Sequence, residues 1–130
     1  MALVDFLAAV HTKIDTLADR VYYGDVIKPD EYIPYVTWKY TTTADVEDLQ
    51  DFFIEVTITD QGPDATSIEN ITDAINGDGD KTSPTGLHRW HSGSGGSPTF
   101  RMFQINRIPL PSMDENMLRR QLRYRARVYL

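Results

Sequence analysis

The sequence predicts an α+β fold: a mostly antiparallel β-sheet with two helices packed on it and a long Gly/Ser loop before the last two strands. Two stretches carry apolar residues at helical spacing, and three carry apolar and polar residues in strict alternation. Between the second helix and the last two strands lies a stretch that follows neither period. A chain of 130 residues has the length of one domain, spanning 1–130, and enough mass to bury a core without disulfides. Hydrophobic residues at 41% and charged residues at 25% match a folded chain rather than a disordered one.

Residues 3–18 read as an amphipathic helix, with Leu3, Leu7, Val10, Ile14 and Leu17 forming the stripe and His11 off it and exposed. Val21-Tyr22-Tyr23 is a short extended segment ended by Gly24-Asp25. In Tyr35–Thr43, Val36, Trp38 and Tyr40 alternate with Thr37, Lys39 and Thr41; in Asp51–Thr59, Phe52, Ile54, Val56 and Ile58 alternate with Phe53, Glu55, Thr57 and Thr59. The polar connection between these two strands predicts an antiparallel hairpin. A second helix is expected over 65–76. Thr66 and Glu69 form its capping box, Ile68, Ile71 and Ile75 its buried stripe, and Asn76-Gly77 its stop. Residues 77–99 hold six of the eight glycines and predict a flexible loop or arm, with only Leu87–Trp90 hinting at a strand. Phe100–Ile108 is the next strand, broken by Pro109-Leu110-Pro111. The last strand runs over 118–130, where Leu122, Tyr124, Ala126, Val128 and Leu130 face one way and Arg119, Gln121, Arg123, Arg125 and Arg127 the other.

The charge is polarised along the chain. Residues 1–87 hold seventeen acidic and five basic side chains, whereas residues 88–130 hold two acidic side chains and eight arginines. If the two halves segregate in the fold, the molecule has faces of opposite sign, which favours head-to-tail association. The net charge of −6 argues against a protein that wraps nucleic acid. No apolar run is long enough for a membrane span, and Asp5 within residues 2–10, with no basic region before it, predicts no secretory leader. The absence of cysteine excludes disulfides, thiol nucleophiles and cysteine zinc sites.

The candidate chemistry is sparse. Asn76, Asp78 and Asp80 alternate as in a calcium loop, but Lys81 stands where the turn glycine belongs and Leu87 where the bidentate glutamate belongs. His88 and His91 would meet only on a helical turn, with no third ligand near in sequence. The Gly/Ser run at 92–97 lacks the Gly-Lys-Ser/Thr ending of a phosphate loop. These readings predict no catalytic residue, no metal and no cofactor. The feature that remains is the arginine row Arg119, Arg123, Arg125 and Arg127, spanning about 26 Å of strand. Guanidinium forks suit an interface with carboxylates. The bland alternative is the solvated outward face of an edge strand, and phosphate contact is a third option.

Taken together, the order of elements resembles that of the tail-terminator, or tail-completion, proteins of long-tailed bacteriophages. The resemblance rests on the first helix ending in Asp19-Arg20-Val21-Tyr22 and on Ile33-Pro34-Tyr35-Val36 opening the next strand. It continues through the strand Phe52–Ile58, the helix Ile68–Ile75 with its Asn76-Gly77 stop, and the closing strand Leu122–Leu130. The chain departs from that family in its Gly/Ser insertion at 92–97. The resemblance implies a non-enzymatic virion protein that forms a homo-oligomeric ring, a hexamer in the family. Such a ring caps the tail tube, stops its polymerisation and joins the tail to the neck at the head-proximal end, after assembly in the host cytoplasm. The implied partners are further copies of the chain, the tube protein and a neck or head-completion protein, with DNA passing through the lumen without specific binding and no membrane involved. Arg119, Arg123, Arg125 and Arg127, with His88, Arg89 and Trp90, are the candidate contact residues. The arginines would meet a neighbour's carboxylates, and the 77–99 arm would order on contact with tube or neck. The alternatives are a head-completion or connector protein of the same interface, a small metal-dependent enzyme using His88, His91, Asp78 and Asp80, and an adaptor with one peptide-binding edge.

Overall fold

A computed structural model describes residues 3–24, 33–42, 49–62, 64–91, 99–111 and 117–129. The elements run α1 (Leu3–Leu17), β1 (Val21–Tyr23), β2 (Tyr35–Thr42), β3 (Leu49–Gln61), α2 (Thr66–Asn76), β4 (Thr99–Leu110) and β5 (Met117–Tyr129). The strands form one sheet in the order β1-β2-β3-β5-β4, antiparallel except for the β1–β2 pair. The fold is therefore α+β with a mostly antiparallel sheet, and β2–β3 form the hairpin the alternation predicts. No helix is long and apolar enough to cross a membrane among the described residues.

Period two in the strands puts Val36, Trp38, Phe52, Ile54, Val56, Ile58, Leu122, Tyr124, Ala126 and Val128 on one face, all buried. Both helices cover that face. α1 contributes Val10 and Ile14 of the expected stripe, with Leu7 and Leu17 at the margin, and adds the buried Phe6. The Phe6 ring packs on Phe52 and Phe100, each at 5.3 Å between centroids. α2 contributes Ile68 and Ile75, and the hydroxyl of its buried Thr72 donates to the Ile68 carbonyl at 2.7 Å. The Tyr124 hydroxyl reaches the end of α2 and donates to Asn76 Oδ1 at 2.8 Å.

Several expectations are corrected. β5 is not an edge strand, because it lies between β3 and β4. The edges are β1 and β4, and β4 continues through Pro109 opposite Arg120, a position where a missing N–H can point away from the sheet. His11 is half-buried rather than exposed, since its Nδ1 accepts the Trp38 indole N–H at 2.9 Å. The capping box does not form. Ala65 occupies the N-cap without a side-chain bond, and Asp64 Oδ1 takes the Thr66 N–H at 2.9 Å instead. Glu69 turns to two guanidiniums, whose charge-assisted bonds outweigh one to a backbone amide.

The segment expected as an arm is packed over residues 77–91; residues 92–98 lie outside the described residues. Its return strand of backbone lies directly on the C-terminus of α2. There Leu87 N–H donates to the Ile75 carbonyl at 2.8 Å and His88 N–H to the Asn76 carbonyl at 3.0 Å, satisfying orphan helix carbonyls. Gly77 and Gly86 permit that approach: a Cβ on Gly77 would stand 2.1 Å from the Gly86 nitrogen. Gly77 also ends the helix, at a φ of 78°. Asp78 Oδ1 takes the Asp80 and Thr85 amides, and Asp80 Oδ1 takes those of Thr82 and Ser83, which knits the turn together. Leu87 is fully buried and the Trp90 ring sits 4.6 Å from that of Phe100. Leu87→Ala is expected to lower stability by about 2–5 kcal/mol, seen as a lower urea midpoint at unchanged slope. A free arm would lose nothing.

Candidate functional site

The face of the sheet opposite the helices has no covering layer among the described residues. Alternation places Lys39 from β2, Asp51 and Glu55 from β3, Arg119, Arg123, Arg125, Arg127 and Tyr129 from β5, and Arg101 and Phe103 from β4 on it. An irregularity between Gln104 and Asn106 then changes the parity of β4. After it Ile108 faces outward and Arg107 turns to the helix side. The open face therefore joins charge with exposed apolar surface, Phe103 being 48%, Tyr129 47% and Ile108 38% accessible.

The predicted arginine row is on this face, and β3 supplies carboxylates to part of it. The register sets Asp51 opposite Arg127 and Glu55 opposite Arg123. Asp51 accepts from Arg125 through its Oδ2 and from Arg127 Nε at 3.1 Å through its Oδ1. Burial alone pushes the Asp51 carboxyl up, but these two guanidiniums outweigh it and hold its pKa below the ordinary carboxylate value. The same contact raises that of Arg127. Glu55 sits 3.4 Å from Arg123 Nε and 3.7 Å from Lys39 Nζ. The carboxylates nearest to Arg123, Arg125 and Arg127 thus belong to their own chain. Arg119 has no carboxylate partner among the described residues.

On the helix side a second cluster ties α2 to the sheet. Glu69 accepts from Arg120 Nε at 2.6 Å and from Arg107 at 2.5 Å, and Arg107 also donates to Asp73 at 2.6 Å. Arg120 dominates in holding the Glu69 carboxyl below its ordinary value, against a smaller opposing effect of burial and with Arg107 adding to it. α1 exposes Asp5 and Asp15 and carries the half-buried Lys13, and Asp19 and Arg20 follow its end, both exposed. The open sheet face is therefore basic, whereas the α1 surface is close to neutral.

The remaining candidates separate. His88 is tucked under the loop, its Nδ1 accepting the Gln104 N–H at 3.1 Å. Burial, with the charge of Arg89, lowers its pKa, consistent with an unprotonated acceptor nitrogen. Trp90 belongs to the core margin, with Lys13 Nζ 5.9 Å above its ring. Arg89 turns to an open cavity, which it lines with Lys81, His91, Arg101 and Phe103. Asp78 and Asp80 spend their carboxylates on backbone amides, and Asn76 accepts from Tyr124. Among the described residues no three His, Cys, Asp or Glu side chains converge as a metal site. Arg101, Phe103, Ile108, Tyr129 and Asp51 were missed as site residues. The alternation of Arg101 and Phe103 with the buried Phe100 and Met102 was the signal that could have found the first two.

No family model matches this sequence, and no curated protein resembles it closely enough to register.

Two acidic groups with depressed pKa values fix the sign of the pH response. Stability from Asp51 and Glu69 is complete above the unfolded carboxylate range and is lost as the pH falls from about 5 through their lowered folded values. Urea midpoints taken from neutral to acid pH are expected to fall in that window, and less steeply in Asp51→Asn and Glu69→Gln.

Proposed function

We propose that the chain is a structural subunit that associates head-to-tail with copies of itself into a ring, and that the ring serves as the tail terminator of a long-tailed bacteriophage. In that role it caps the tail tube, stops its polymerisation and joins it to the neck, with no catalytic step and no cofactor. The observation that carries the reading is the open sheet face, where arginines stand among the half-exposed Phe103, Ile108 and Tyr129. Arginine and aromatic residues are the types enriched in the cores of protein interfaces. The chain is net −6 overall, so this basic face suits a heterologous contact with acidic surface elsewhere on the next copy, which closes into a ring when the rotation per subunit allows it. The order of elements adds the family expectation.

The internal pairing changes which substitutions test this cleanly. Reversing Arg125 would set a carboxylate beside Asp51 and damage the subunit itself, whereas Arg119 and Ile108 sit on the face without a carboxylate partner among the described residues. Arg119→Glu with Ile108→Glu is expected to leave the unfolding free energy from urea titration within about 1 kcal/mol of wild type and to abolish oligomers. Function is read by electron microscopy of lysates from the virus that encodes the chain, with the gene deleted, restored, or restored in that variant form. Overlong tubes without heads in the deletion and in the variant are the expected result. Normal-length tails beside unattached or leaking heads would make the chain a head-completion or connector component instead. Ordinary infectious particles from the deletion would overturn the reading.

A further inference from the structure

Beside the predicted arginine row, cations of β4 and of the loop after α2 stand without a carboxylate partner among the described residues. Lys81 and Arg89 from the packed loop, His91 from its end, and Arg101 and Phe103 from β4 line a cavity of about 390 Å³. Lys81, Arg89 and Arg101 have no carboxylate partner among the described residues, unlike Arg107, Arg120, Arg123, Arg125 and Arg127. In a chain of net charge −6, the three cations brought together in one concavity repel one another. The fold holds them there through specific backbone contacts. Arg89 has a φ of 65°, the single positive φ outside glycine among the described residues, and its carbonyl lies 3.0 Å from His91 Nδ1. His91 bridges Arg101 on the free edge of β4, and the Met102 N–H donates to the Trp90 carbonyl at 2.9 Å.

We propose that this pocket is a binding site for a phosphate group. A carboxylate carries one charge and is satisfied by one guanidinium fork. Two forks, an ammonium and an imidazole around one cavity suit an oxyanion with more charge and more oxygens. Phe103 supplies an apolar wall on which a sugar or base can rest. A second groove of about 310 Å³ shares Arg101 and Phe103 and adds Arg125, Arg127 and Tyr129, so cations and aromatic rings alternate along a continuous strip. That alternation is the chemistry that takes a single-stranded nucleic acid by its backbone, without reading its sequence. Free inorganic phosphate is the other source of the same group. Phe103 and Tyr129 also belong to the face proposed above for contacts between copies, so the site is assigned to the free subunit before assembly.

The test uses the full chain, a fluorescent single-stranded oligothymidylate followed by anisotropy at low salt, and inorganic phosphate followed by isothermal titration. The variant is Lys81→Ala with Arg89→Gly; glycine accepts the left-handed backbone at 89, so the fold is kept, as the urea midpoint will verify. Arg119→Ala, outside the pocket, is the control. The expected result is oligonucleotide binding that weakens roughly ten-fold in the double variant, with the slope of log affinity against log salt shallower by about 1.4, and is unchanged in the control. Binding of inorganic phosphate alone, lost in the variant, would support the site and assign it to free phosphate. Three results would overturn it: no binding of either probe, equal binding by the variant, or displacement of both probes by poly-glutamate at equal concentration of charge.

Discussion

The insertion of β5 between β3 and β4 is the constraint on which the rest of the molecule depends. Its long antiparallel ladder with β3 runs from Leu49 opposite Tyr129 to Gln61 opposite Met117. A slip of one residue would send Leu122, Tyr124, Ala126 and Val128 to solvent and the arginines into the core, so the register is held by burial itself. That same register decides every charge pair of β5. It sets Arg125 and Arg127 against Asp51 and Arg123 against Glu55 on the open face, and turns Arg120 to Glu69 on the other. One strand thus serves core, helix anchor and outer surface at once.

The two faces then take different fates. The helix side is closed, by Phe6, Val10 and Ile14 from α1 and by Ile68 and Ile75 from α2, and locked by the Glu69–Arg107–Arg120 cluster. The sheet's other face stays open. The loop after α2 joins these regions, since its backbone caps the helix at Ile75 and Asn76, Leu87 enters the core, and Arg89 and His91 emerge at the β4 edge. A stretch of glycine and short polar residues builds a defined wall because its aspartates bind its own amides and its glycines let backbone meet backbone.

What could be read in the sequence follows the range of each signal. Helices and strands were legible because periodicity is local, and Arg119 through Arg127 were legible as one face for the same reason. Neighbour relations were not. Alternation cannot say that β5 pairs with β3 as well as β4, so Asp51 was invisible as the partner of Arg125 and Arg127, seventy-odd positions away. The irregularity after Gln104 leaves no clear mark in composition, yet it alone brings Arg107 to Glu69 and Asp73. The packed loop hid for a related reason. Its anchoring is mostly backbone to backbone, visible only as two glycines, while its buried Leu87 stands alone without a period to announce it. The cationic pocket draws on positions 81 to 103, a span that no single motif covers.

The open sheet face is the surface proposed for contact between copies of this chain. Sedimentation velocity of the purified protein over a range of concentration and salt tests it most directly. The account predicts a discrete oligomer at high concentration and low salt, dissolving toward monomer as salt screens the charged part of the contact. A monomer at every concentration, with no response to salt, would contradict it.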